Sequence, residues 1–205
     1  MSLELYGAFV LACILLAITP GPNMSLFIAN GTAHGMRAAL LTVFGASLGL
    51  SILVALATIG MTSAMAVMAE WFDAVRWLGA AYLAWLGIGR LRAALSPAPL
   101  EVVEAPRGGR YIWQGALVSL SNPKVLLFLG AFFPQFIDPA APVAPQLALL
   151  AVTFVVALAA VDTCLATAVG AAQGWFTERR RRFADGISGV MLLGGGLWLA
   201  IVRRS

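Results

Sequence analysis

The stretch LYGAFVLACILLAITPGPNMSLF (5–27) is apolar for long enough to cross a bilayer, yet it holds Pro20, Gly21, Pro22 and Asn23. A helix spanning the hydrocarbon core needs about 20 mostly apolar residues. Proline lacks a backbone N–H and clashes with the preceding turn, so Pro20 and Pro22 exclude one continuous α-helix here. In lipid the freed carbonyls and amides must find partners in protein or in a water-filled cavity. The stretch therefore predicts a membrane helix that is broken on purpose.

Working outward, the whole chain fits that setting. Of 205 residues, 61% are hydrophobic and 11% charged, and the mean hydropathy is +0.92. A soluble domain is roughly half apolar and about a quarter charged, so these charges could not cover a soluble surface. Six apolar stretches are expected to span: 5–27, 38–62, 68–89, 111–136, 147–172 and 187–202. Only Glu4 precedes the first, so it lacks the basic region of a secretory signal and reads as a retained helix. The fold class is all-α: a polytopic membrane protein forming a single transmembrane domain over 1–205. The linker SPAPLEVVEAPRGGR (96–110) separates halves of about 1–95 and 111–205.

The net charge of +4 does not imply nucleic acid, because the basic residues sit between apolar runs and read as topology signals. Arg37, then Arg90, Arg92, Arg107 and Arg110, then Arg179 to Arg182 fall in connections sharing one side. The other side has Arg76, Arg203 and Arg204. The positive-inside bias puts the three basic connections in the cytoplasm and both termini outside.

Each half has an odd number of spans, so a repeat between them must be inverted in the membrane. ITPGPN (18–23) in span 1 corresponds to LSNPK (120–124) in span 4, and LGAAYLAWLGIGR (78–90) to LGGGLWLAIVRR (193–204). Breaks at matching places of inverted repeats point to a transport site. The expected substrate-binding residues are Pro20, Gly21, Pro22, Asn23, Asn122, Pro123 and Lys124. The half-helices starting near Asn23 and Lys124 would aim their amides at an anionic group such as a carboxylate.

Lys124 and Asp162 are the charges expected inside spans. A charge at the bilayer centre costs from about three to more than ten kcal/mol, so each must face a partner or water. Asp162 is the candidate for proton coupling. Lys124 either meets a substrate carboxylate or pairs statically with Asp162.

GASLG (45–49) fits a nucleophile-elbow pattern but sits mid-span without a histidine partner. Gly45 and Gly49 read instead as G-x-x-x-G, a face for close helix packing. His34, the single histidine, is expected in a short loop shaped by Gly31 and Gly35. Cys13 and Cys164 lie in apolar runs as packing residues. No metal-ligand spacing, catalytic constellation or cofactor motif is present.

The motifs TPGPN (19–23), GMRAALLTVFGASLGLSI (35–52), LGAAYLAWLGIGRLRAA (78–94) and SNPKVLLFLGAFFPQFI (121–137), with Asp162, resemble the lysine exporter (LysE/RhtB) family, nearest its homoserine/threonine branch. The resemblance implies a six-helix, proton-driven exporter of amino acids in a bacterial inner membrane. It carries the broken-helix roles onto Pro20, Gly21, Pro22 and Asn23 and onto Asn122, Pro123 and Lys124, with Asp162 as the acid of the fifth helix. Many members look to have an acid directly after the glycine matching Gly49, where this chain has Leu50. That departure counts against a two-carboxylate scheme and a cationic cargo, and points to a neutral amino acid. The partners implied are the amino acid and the lipid bilayer, with a homo-oligomer left open. The competing readings are export of another solute or a metal cation, or a membrane-embedded protein that does not transport.

Overall fold

The computed structural model of the chain describes residues 1–62, 66–95, 108–138, 140–172 and 177–201. Most of the 96–110 linker, with Arg107, and the terminal Arg203 and Arg204 lie outside the described residues. The described chain is helical. It runs α1 (Leu3–Ile18), α2 (Pro22–His34), α3 (Met36–Thr62), α4 (Ala66–Leu95), α5 (Gly108–Leu120), α6 (Pro123–Leu127), α7 (Val143–Ala171) and α8 (Glu178–Ile201). After α6 the chain loosens into a π-type turn over Phe128–Phe132 and tightens into a 3₁₀ turn over Phe133–Phe136.

By length and apolar content, two stretches of described helix can cross a membrane: Met36–Ile59 of α3 (24 residues) and Val143–Ala171, all of α7 (29 residues). The α1 and α2 helices, bent by 49° at their break, make a third when taken as one span. Glu70, Asp73 and Arg76 lie within α4, and Arg179 to Arg182 within α8.

Helices extend well past the apolar spans read from sequence. Arg90 and Arg92 sit in α4, and Arg179 to Arg182 and Asp185 in α8, rather than in connections. Hydropathy registers only the lipid-facing length of a helix, and its polar ends look like loop. His34 is likewise the last residue of α2, and the turn to α3 is made by Gly35 alone at φ 86°. That left-handed conformation is nearly free for glycine. Gly31 is not part of the turn but packs within α2 against Ala39 and Val169.

The packing inverts the pattern of a soluble protein. On α3, Phe44, Leu48, Ile52, Leu56 and Ile59 are exposed, while Gly45 and Gly49 face α5. A Cβ at Gly45 would overlap the carbonyl of Ile112, one at Gly49 that of Ala116, and one at Gly115 that of Thr42. Without a hydrophobic force between helices in lipid, this backbone-to-backbone approach supplies the contact. The α4 and α8 helices mesh reciprocally. A Cβ on Gly87 would lie 2.9 Å from the Gly189 carbonyl, and one on Gly189 would lie 2.9 Å from that of Gly87. This relates Gly87 to Gly189 and Leu91 to Leu193, a different register from the strings 78–90 and 193–204.

Between α1, α3, α6 and α7 sits an aromatic and aliphatic core. Phe9, Phe133 and Phe154 are fully buried, and Leu50 and Val54 join them from α3. The Phe128 and Phe154 rings stack at 5.0 Å between centroids and 2° between planes. This core holds the π-type turn against α1 and α7, and so fixes α6 beside the first break.

Candidate functional site

Both breaks begin a helix in the same way. Gly21 is the extended residue before α2 and Pro22 is its first residue. Asn122 is the extended residue before α6 and Pro123 is its first residue. Proline suits this position, because the N–H it lacks would be unpaired there in any case. Asn122 caps α6 through Oδ1, which accepts from the Lys124 backbone N–H at 3.1 Å. Ser25 N–H closes the first turn of α2 onto the Gly21 carbonyl at 2.9 Å.

The end of α1 is more demanding. In a continuous helix the carbonyls of Leu16 and Ile18 would accept from residues 20 and 22, and both of those are proline. Thr19 returns its N–H (3.0 Å) and hydroxyl (2.7 Å) to the Leu15 carbonyl. The Leu16 carbonyl is satisfied from the other half of the chain: Lys124 Nζ donates to it at 2.7 Å and to the Thr19 carbonyl at 2.8 Å. A cation at a helix C-terminus is also favoured by the helix dipole. The absence of a side chain at Gly21 leaves room for the lysine stem. A Cβ there would sit 3.4 Å from both Cε and Nζ.

Around this crossing lies a cavity of about 430 Å³. Its wall includes Thr19, Pro20, Gly21 and Pro22 from the first break and Pro123 and Lys124 from the second. Leu16, Leu127, Phe128, Phe132, Met191 and Gly195 complete it. Five of the seven expected binding residues thus line one space. Asn23 and Asn122 stand just behind it. Asn23 Nδ2 donates to Ser119 Oγ at 3.4 Å, while Asn23 Oδ1 and Asn122 Nδ2 are buried without a partner.

Asp162 does not line the cavity. It lies on the inward stripe of α7, between Leu158 and Ala166, and it is half-buried. It makes no ion pair with Lys124, whose ammonium donates instead to the Leu16 and Thr19 carbonyls. Of the two readings open for Lys124, the static pair is therefore not formed. Cys13 and Cys164 are both free thiols, one buried and one exposed.

Sequence reading missed Ser119, Met191 and Gly195. It also missed a second polar cluster in which Arg90 meets Asp185 at 3.0 Å. In sequence Arg90 reads as a topology charge, and Asp185 carries no assigned role. Their signal was their position within a helical turn or two of an apolar run, which hydropathy cannot distinguish from a loop.

Comparison with known proteins gives the family. Residues 14–203 match the family model described as "LysE type translocator". A "Homoserine/homoserine lactone efflux protein" of Salmonella typhimurium is 34% identical over 175 residues, covering 85% of each chain. An "Uncharacterized membrane protein" of Vibrio cholerae is 31% identical, covering 99% of this chain and 100% of its own. A membrane protein of Pseudomonas aeruginosa is 32% identical, covering 98% and 96%. No solved structure matches the chain.

Proposed function

The chain belongs to the LysE-type translocator family, a family of membrane transporters rather than enzymes, and from that premise we propose that it exports a small neutral amino acid or close analogue from the bacterial cytoplasm. The cavity between the two helix breaks is the observation that carries this reading. In it the half-buried Lys124 ammonium stands beside the Leu16 and Thr19 backbone carbonyls, a donor and acceptors that a zwitterion could engage in exchange.

Lys124 has three N–H donors, and two are held by Leu16 and Thr19. The third is offered to the cargo carboxylate, with Pro20 to Pro22 and Pro123 shaping the wall. The unpartnered Asn23 Oδ1 supplies an acceptor for the cargo ammonium as the first break flexes. The names of the Salmonella relatives support a homoserine-like cargo.

The architecture proposed is six spans in two inverted halves, with both termini periplasmic. The α1–α2 pair forms span 1, α3 and α4 spans 2 and 3, α5 with α6 span 4, and α7 and α8 spans 5 and 6. Two spacings support the repeat: Pro22 and Pro123 are 101 residues apart, and the reciprocal Gly87 and Gly189 are 102 apart. In this scheme Asp162 takes up a proton from outside when Lys124 turns to the cargo and returns it on the cytoplasmic side, which couples export to the gradient.

Labelled homoserine and threonine, followed in inside-out vesicles with an imposed pH gradient, test the reading. Uptake into the vesicle lumen is expected to need the gradient and to lose that dependence in Asp162→Asn. Gradient-driven uptake that is undiminished in Asp162→Asn would remove the coupling role. No uptake of any amino acid by the wild-type protein would remove the cargo class.

A further inference from the structure

Away from the cavity, five helices meet in a polar cluster. Arg90 of α4 donates through Nη1 to Asp185 of α8 at 3.0 Å and through Nη2 to Asn30 of α2. Asn30 in turn donates to Thr42 of α3 at 2.9 Å and to Gln114 of α5 at 3.4 Å. The cluster is well enclosed: the Arg90 and Asp185 side chains are 18% and 12% exposed, and Asn30 is 2% exposed.

Such a pair is a poor device for static packing. Apolar residues of similar volume would join the helices at least as firmly, because desolvation offsets most of the attraction. The glycine contacts of α4 with α8 already provide close packing a few residues away. What charges offer in addition is a contact that can part into water without leaving an apolar surface exposed.

Its place in the bundle fits that use. Asn30 lies about 12 Å along α2 beyond Pro22, and Asp185 about 15 Å along α8 from Gly195. The cavity walls extend the other way, through Leu16 before the first break and Phe128 and Phe132 after the second. The bonds join α2, α3 and α4 to α5 and α8, across the two halves of the chain. The cluster therefore closes the α2 side of the site, at the end where Arg92, Arg110 and the Arg179–Arg182 run gather.

We propose that Arg90, Asp185 and Asn30 form the gate on the basic end of the transporter, closed in this structure. It opens when α8 parts from α4 and α2 at this end, which separates Asp185 from Arg90. Under the exporter reading, on which its sidedness rests, this is the cytoplasmic gate through which cargo enters.

A reporter thiol at Thr19→Cys, in a Cys164→Ser background, tests this with a charged, membrane-impermeant methanethiosulfonate. Vesicles of both orientations are used, and a Thr177→Cys reporter identifies the basic end. With the gate intact, the Thr19 thiol reacts from the opposite end. Asp185→Asn and Arg90→Gln are each expected to raise its reactivity from the basic end about tenfold, the response to a tenfold shift in the closed-to-open ratio. Exchanging the charges (Arg90→Asp with Asp185→Arg) returns it toward the starting value. Asn30→Ala keeps the ion pair, gives a smaller rise, and serves if the charge variants do not fold. Unchanged reactivity from the basic end in folded variants overturns the gate. The readout needs no cargo, so a failure to export amino acids would overturn the functional reading alone.

Discussion

The two helix breaks look alike in sequence and are held in different ways. The second is short. Asn122 caps its own helix, and the chain continues at once through Pro123 into α6 and the π-type turn. The first is wider and bent by 49°, and two prolines strip partners from the end of α1. Its missing donor comes from Lys124, on the far side of the chain sequence. One break is satisfied from within, the other from across the molecule. The difference assigns mechanical roles: α6, packed on the phenylalanine core, is the fixed element, and the end of α1 can be released by one side chain.

Replacing that side chain should have the largest effect. Lys124→Met keeps the stem and removes three donors, leaving the Leu16 carbonyl unpaired at membrane depth. A loss of about 2–3 kcal/mol is expected, with export falling to background, read by thermal unfolding in detergent and by efflux. Asn122→Ala removes only a cap and should cost about 1 kcal/mol, with export reduced but measurable. Equal losses for the two would erase the distinction between breaks. The smallest effect is the sharpest. Pro20→Ala restores an N–H four residues after Leu16, so in the Lys124→Met background it should recover about 0.5–1 kcal/mol. In the wild-type background it should do little, and a double-mutant cycle measures that difference. Strict additivity would mean that Lys124 does not stand in for the missing amide.

Both breaks were legible because their cause is local: a proline at a given position removes a given hydrogen bond whatever surrounds it. The glycine face at Gly45 and Gly49 was legible for the same reason, since a missing Cβ is a property of the residue itself. What Lys124 would bind was not legible. Its nearest charge in the spans was Asp162, and the choice between a carboxylate and two carbonyls depends on how α6 crosses α1. The Arg90–Asp185 contact was hidden further. Its members are 95 residues apart, and each alone looks like an ordinary charge at a helix end. Helix lengths were underestimated because apolar content ends where the lipid does, while backbone hydrogen bonding continues.

Gly195 of α8 stands where the two breaks come closest. A methyl group there would lie 3.2 Å from the ring of Pro22 and 3.5 Å from that of Pro123. A single bare stretch of backbone therefore feels the position of both rings. Neither half-helix can roll inward without pressing on α8, and α8 cannot shift without steering both. The proline rings and the glycine work as a cam and its follower, linking motion in the two halves through shape alone.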